Sequence, residues 1–334
     1  LLKITGFKKG MACGLGIMAI GTVMFVPAAM TASYPFFLVG LFVIGIGLTV
    51  LQTASNPYVT IFGPRGSAAQ RISFMGIANK LAGIIGQFIF GGLLLSGATG
   101  EAGHNLDRVI NPYLILTGIL IGLAVLILFS NLPDINETED DTDAEETATP
   151  KTSIWQFQHL ILGVLALFLY VGVEVIAGDT IINYGLSKGF SQEDAKHFTT
   201  YTLYGMLAGY VLGILAIPKF ISQQTALKFS AILGVVFSLL ALVTDGFTSV
   251  LFIALLGLAN ALMWPAIFPL AIAGLGKFTK TGSAMLIMGI AGGALLPVLY
   301  GRLADSIGTQ MAYVIALPCY LYILYYAIAG YKPR

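Results

Sequence analysis

The chain has 334 residues, of which 57% are hydrophobic and 10% charged, with a net charge of +1 and a mean hydropathy of +0.88. A soluble domain carries about 25% charged residues, so the composition points to a membrane, and the near-neutral balance gives no footing for nucleic acid. Cys13 and Cys319 stand singly in apolar segments, and His104, His159 and His197 are scattered, which argues against a structural disulfide, zinc or any other metal.

The opening LLKITGFKKG reads as the tail of one helix and a basic turn, with no initiator Met and no signal peptide. Apolar runs able to cross about 30 Å of hydrocarbon follow at roughly 9–30, 35–62, 71–97, 110–130, 154–185, 196–217, 222–243, 247–275, 281–304 and 308–330. With the N-terminus inside, the cytoplasmic segments hold Lys3, Lys8, Lys9, Arg65, Arg71, Lys151, Lys219, Lys228, Lys277, Lys280, Lys332 and Arg334. The outer loops then hold only Arg108, Lys188, Lys196 and Arg302. The bias of basic residues therefore puts both ends of the chain on the cytoplasmic side.

Between the fourth and fifth runs, Asn131–Thr152 carries eight of the sixteen acidic residues and few large apolar ones. It reads as a solvated linker, with a docking segment as the alternative. Its sequon at Asn136 faces the cytoplasm and is not expected to be glycosylated. The expected organisation is a helical half over 1–130, an acidic linker over 131–153 and a six-helix half over 154–334. Shifting the chain so that Phe74–Gly83 falls on Ile287–Leu296 also places Gly63 on Gly276. Two parallel repeats are implied. The first has four runs and the second six, so about two helices are expected to precede residue 1. In that alignment Asn79 and Lys80 fall on Gly292 and Gly293, and packing alone gives no reason for an amide and a charge where the scaffold takes small residues.

Ionisable residues within membrane helices are costly unless they face a cavity or a partner. Gln52 and Asn56 are four apart and share a helix face. At about 1.5 Å per residue, Gln52 lies roughly 15 Å deep. Lys80 comes out level with it from the other direction, with Gln87 on the same face seven residues on. Interhelical hydrogen bonding is the bland reading of this group; a lined cavity is the functional one. In YVGVEVIAGDTIINYG, Glu174 lies deep and Asp179 nearer the outer end, with Asn183 beyond. A carboxylate at that depth can carry a proton, because desolvation and nearby cations shift its affinity in opposite directions. It can also accept hydrogen bonds from a hydroxylated substrate, or form a structural ion pair with Lys80 or with a residue of the helices expected upstream. In GLANALMWPAIFPL, Asn260 and Trp264 share a face beside Pro265 and Pro269, which are expected to break the ladder. An indole beside an amide suits a sugar ring, and Trp264 as plain packing stays open. The glycine series Gly205, Gly209 and Gly213, and the pair Gly289 and Gly293, read as close-packing surfaces. Gly274–Phe278, GLGKF, lacks the spacing and the hydroxyl of a phosphate loop, which disfavours ATP-driven transport.

Gln52–Tyr58 (QTASNPY), Gly63-Pro64 and Asn79 resemble the fourth-to-fifth helix region of the fucose–proton symporter family, most closely its bacterial glucose/galactose transporter branch. Tyr170–Glu174, Asn183-Tyr184, Asn260–Pro265 and Gly301–Asp305 look like the same branch. The resemblance spans all but the acidic linker. It implies an all-α major facilitator fold, an integral membrane protein of two six-helix repeats, a hexose substrate and a coupled cation. The fucose symporter pattern has a carboxylate where this chain has Gln52, and its other coupling acid lies in a helix upstream of this sequence, so the coupling residue does not carry over. The expected function is secondary transport of a neutral hexose by alternating access across a bacterial cytoplasmic membrane, by a monomer without cofactor or catalytic residue. Gln52, Asn56, Asn79, Gln87, Asn183 and Asn260 would bind hydroxyls, Trp264 would stack on the ring, and Glu174 with Lys80 would form a switchable pair driven by protons, with sodium or uniport open. The rivals are a carrier of sugar acids with Lys80 as countercharge, and a non-transporting membrane sensor.

Overall fold

The computed structural model describes residues 2–95, 110–133 and 152–332, the side chains of 2–4 and 87–95 excepted. Among these residues the regular structure is helical: α1 (Leu2–Met30), α2 (Tyr34–Ile61), α3 (Ala68–Leu95), α4 (Ile110–Phe129), α5 (Gln158–Asp179), α6 (Ile181–Ser187), α7 (Gln192–Ala195), α8 (Phe198–Ala216), α9 (Gln223–Val243), α10 (Gly246–Ala261), α11 (Met263–Ile272), α12 (Thr279–Met288), α13 (Gly292–Ile307), α14 (Thr309–Ala312) and α15 (Ala316–Tyr325). Nine helical stretches among the described residues are long and apolar enough to cross a membrane. The run expected at 71–97 is the 28-residue α3. Most of the acidic linker, with its sequon, and His104 lie outside the described residues.

Four expected runs are interrupted, 308–330 by a 3-10 turn at Tyr313–Ile315 and three others as follows. The run 247–275 splits at Leu262 (φ −93°, ψ 0°) between α10 and α11. Pro265 has no N–H to offer the Ala261 carbonyl four residues back, so the α-helical ladder stops there. Pro269 lies inside α11 without ending it, which corrects the expectation that both prolines break the helix. The run 154–185 becomes a 3-10 turn, Ile154–Gln156, closed by a Ser153/Gln156 capping box, then α5 and α6 joined at Thr180. The Thr180 hydroxyl meets the Ile176 carbonyl and, at 2.7 Å, the Tyr313 hydroxyl. The run 281–304 changes to a 3-10 turn at Gly289–Ala291 between α12 and α13. Arg302, expected in an outer loop, is an exposed residue of α13.

The chain divides into two compact units, Leu1–Tyr58 with Leu81–Asn136, and Val59–Lys80 with Glu137–Arg334. In the first, glycines seven apart let α1 and α2 cross closely. A Cβ on Gly14 would lie 2.7 Å from the Leu51 nitrogen, and one on Gly21 2.8 Å from the Ile44 nitrogen. α1 also packs on α4 through Leu15, Ala19 and Leu120, with a hydroxyl contact of 2.8 Å between Thr22 and Thr117. Much of α2 and α4 presents exposed apolar side chains, such as Phe42 and Leu126, as lipid-facing helices do.

In the second unit, α5 runs through a core that includes Tyr170, Ile176, Tyr313, Tyr320 and Tyr326. Small residues let its neighbours in: Gly163 faces Ala271 and Tyr326, and Gly172 faces Leu296. The glycine series of α8 meets α10 as expected, Gly205 at the Leu258 nitrogen and Gly209 at Ala261. The first half of α3 is docked in this unit. Ala69 packs with Ile217 and Ala226, Ile72 with Leu160 and Phe268, and Gln70 Nε2 donates to the Ile214 carbonyl at 2.7 Å. Arg71 donates to the Val59, Thr60 and Pro64 carbonyls and to Ser67 Oγ. That ties off carbonyls at the end of α2 which have no helical partner.

Candidate functional site

Lys80 and Glu174, 94 residues apart in sequence, meet with Nζ 2.9 Å from Oε1. Their side chains are 21% and 20% exposed, so each charge has lost most of its water and depends on the other. The pair arises from helix register. α3 is docked along one face by Ala69, Gln70 and Ile77, and Lys80 lies one turn on from Gly76 on that face. Glu174 is placed by α5, whose neighbours Val173 and Ile176 are 1% exposed.

Three buried tyrosines lie in the same part of the unit as the carboxylate. Tyr170 lies one turn before Glu174 on α5, its hydroxyl toward the carboxylate. Tyr210 of α8 and Tyr320 of α15 come within electrostatic reach. All three are at most 5% exposed. Tyr320 donates to Asn260 Oδ1 at 2.9 Å, which leaves Asn260 Nδ2 buried and without a partner. Such orphaned donors are rare and costly. The Tyr320–Asn260 pair and the Lys80–Glu174 pair thus place polar groups within electrostatic reach of each other inside the unit. Sequence reading missed the tyrosines because in apolar runs they read as packing. The available signal was the four-residue spacing of Tyr170 and Glu174.

The remaining candidates fall differently. Asn183 and Asp179 are exposed near the junction of α5 and α6, and Asn79 is exposed beside Lys80. Trp264 is half-buried and stacks on Phe268, with ring centroids 6.0 Å apart at 20°. In the first unit, Asn56 is buried and donates from Nδ2 to the Gln52 carbonyl at 3.0 Å. Gln52 is half-buried, its Oε1 without a partner. The Gln87 side chain lies outside the described set. Cys13 and Cys319 are free. No cluster of three His, Cys, Asp or Glu fit for a metal occurs among the described residues.

At the end of the second unit where α6 meets the α9–α10 turn, Lys188 binds Asp245 and Gln310. Gln310 in turn donates to the Ala241, Leu242 and Thr244 carbonyls at the end of α9. Lys188 and the Gly246 backbone N–H hold the exposed Asp245 carboxyl below its ordinary value.

Residues 1–293 match the model of the Major Facilitator Superfamily. The chain is 36% identical over 338 residues to a glucose/galactose transporter of Brucella abortus, covering 99% of this chain and 80% of that protein. It is 32% identical over 341 residues to a putative glucose/galactose transporter of Helicobacter pylori, covering 98% and 82%. Among solved structures, it is similar to the fucose:proton symporter of Escherichia coli, with a TM-score of 0.86 and 27% identity over 98% of this chain and 84% of that one.

Proposed function

Given that the chain belongs to the major facilitator superfamily, and within it to the glucose/galactose branch of the fucose–proton symporter family, we propose that it carries a neutral hexose across a bacterial cytoplasmic membrane, coupled to a proton, with Glu174 as the proton carrier. It is a multi-pass membrane sugar transporter, not an enzyme. The proposal concerns which sugar, which ion and which residues. The observation that carries it is the Lys80–Glu174 pair, 2.9 Å long and four-fifths shielded from solvent. A shielded pair beside tyrosine hydroxyls has two states: ionised and paired, or Glu174 neutral and Lys80 released. Only the first holds α3 to α5 electrostatically, so a proton and a helix contact compete for one carboxylate.

Asn260 with its free Nδ2, Trp264, Asn183 and Asn79 supply amides and an indole for hydroxyls and a ring face. Gln52, Asn56 and Gln87 are candidates on their sequence positions alone. The relatives' names, glucose/galactose transporter and fucose–proton symporter, support a hexose and a proton. The ion pair speaks against the sugar-acid reading, because Glu174 already meets the charge of Lys80. The segments bearing Lys8, Lys9, Arg65, Lys219, Lys277 and Lys280 are assigned to the cytoplasm by the basic bias of the sequence, with a single copy as the working unit.

The test is uptake into proteoliposomes of labelled glucose, galactose and glucuronate, under a pH gradient, a sodium gradient or none. Accumulation of a neutral hexose only under the pH gradient is expected. Accumulation of glucuronate, with loss of that uptake alone in Lys80→Ala, would replace this proposal with the sugar-acid reading. No accumulation under any gradient would favour a sensor or a uniporter.

A further inference from the structure

Gly76 has no part in the roles assigned so far, yet it makes a very close contact with Tyr210 between α3 and α8. A Cβ on Gly76 would lie 2.5 Å from both Cε1 and Cζ of Tyr210. Gly76 and Lys80 are four residues apart and therefore on one face of α3. Ile77, Met206, Tyr210 and Ala261 pack as one cluster. The Tyr210 ring, 5% exposed, has little room to retreat. Its hydroxyl end comes within electrostatic reach of Glu174. One buried ring thus touches the helix that carries Lys80, within electrostatic reach of the carboxylate that Lys80 binds.

The other groups around Glu174 do not do this. Tyr170 is on its own helix and Tyr320 comes from α15. α13 approaches α5 through Gly293 against Val171 and Val175, and through Leu296 against Gly172, bringing no titratable group there. Among the described residues, Lys80 is the one cation bonded to this carboxylate.

We infer that Tyr210 is a positioning residue for the Lys80–Glu174 pair. Its ring, seated in the notch that Gly76 leaves open, sets the distance at which α3 presents Lys80 to Glu174. The inference rests on the reading of that pair as the coupling site. The reason is steric. Carbon atoms in ordinary contact sit about 3.5–4.0 Å apart. A methyl at residue 76, otherwise 2.5 Å from the ring, would move α3 off α8 by roughly 1 Å. A shift of that size exceeds the margin between a bond of 2.9 Å and the limit of about 3.2 Å for a hydrogen bond, so the pair weakens to the extent that the Lys80 stem does not follow.

Gly76→Ala and Gly76→Ala/Tyr210→Leu test this by two readouts. The first is the ratio of proton-driven accumulation to sugar exchange in proteoliposomes. The second, independent of transport, is cross-linking by a short thiol reagent between Ile77→Cys and Met206→Cys, with Cys13→Ser and Cys319→Ser in the background. Gly76→Ala is expected to lower accumulation tenfold, leave exchange within twofold, and reduce the cross-link. Adding Tyr210→Leu, which removes the ring edge, is expected to bring both accumulation and cross-link back to within threefold of native. Unchanged accumulation and cross-linking in Gly76→Ala overturns the inference. So does joint loss of accumulation and exchange without rescue, the signature of a general packing defect. If the native protein moves no hexose at all, the substrate reading falls by itself, and the cross-link series still decides whether Tyr210 spaces α3.

Discussion

α5 is approached by two segments that the sequence repeat makes equivalent, and they meet it by opposite means. Gly292 and Gly293 bring α13 against its backbone. A Cβ on Gly292 would lie 1.8 Å from the Phe168 carbonyl oxygen, and one on Gly293 3.0 Å from Val171. Asn79 and Lys80, the matching positions, carry side chains, and Lys80 reaches α5 about a turn further along, at Glu174. Backbone packing through glycine has no second state, because nothing about it titrates. An ion pair does, because one proton removes the attraction. A duplicated scaffold thus holds one contact permanently and makes the other conditional.

The largest expected effect breaks the permanent side. Gly292→Ala places a methyl into the Phe168 carbonyl and, with no flexible side-chain end to give way, should cost more than the about 1–3 kcal/mol typical of overpacking. Loss of the monodisperse peak in detergent chromatography checks it. Asn79→Ala, at the matching and exposed position, should elute and melt like the native protein. Equal tolerance of both substitutions would remove the asymmetry.

Next comes the conditional side. Removing one member of a fully buried pair costs about 3–5 kcal/mol. Here about a fifth of each side chain is exposed, so about 2 kcal/mol is expected for Lys80→Met, which leaves Glu174 without its cation. Lys80→Met/Glu174→Gln should melt above Lys80→Met alone. Additive losses in that cycle would show that the two residues do not interact.

The smallest effect uses an exposed pair as a control. Asp245 has its carboxyl held low by Lys188. A depressed carboxyl contributes stability above its ordinary value near 3.9, and that contribution is lost as pH falls through the lower folded value. Asp245→Asn should therefore leave melting at pH 7 almost unchanged and flatten its acid dependence below about pH 4. A large loss at pH 7 would mean that the Lys188 cluster, not the intramembrane pair, is the main electrostatic contact of this unit.

Much of this was legible in the sequence, and the exceptions have physical causes. A charge within an apolar helix has few tolerable environments, so Lys80 and Glu174 stood out and could be paired on depth. The break at Leu262 was readable through Pro265, whose missing N–H acts four residues upstream, but the break at Thr180 was not, since no proline marks it and the nearby Gly178 is a residue that membrane helices tolerate. Tyr210 and Tyr320 could not be read as neighbours of Glu174, and Tyr170 only through its four-residue spacing, because a hydroxyl at the end of an aromatic ring declares itself only when a partner is in place. The repeat showed that Asn79 and Lys80 were unusual. It could not show that Gly76, which shares its glycine with Gly289, would receive a tyrosine ring where Gly289 receives the Val164 carbonyl.

The most direct test of the coupling role is Glu174→Gln, assayed for proton-driven accumulation and for exchange of labelled sugar across proteoliposomes at zero gradient. Accumulation lost with exchange retained is the predicted result, since a glutamine can hold the neutral geometry but cannot take up or release a proton. Undiminished accumulation would contradict it and remove Glu174 from the coupling step.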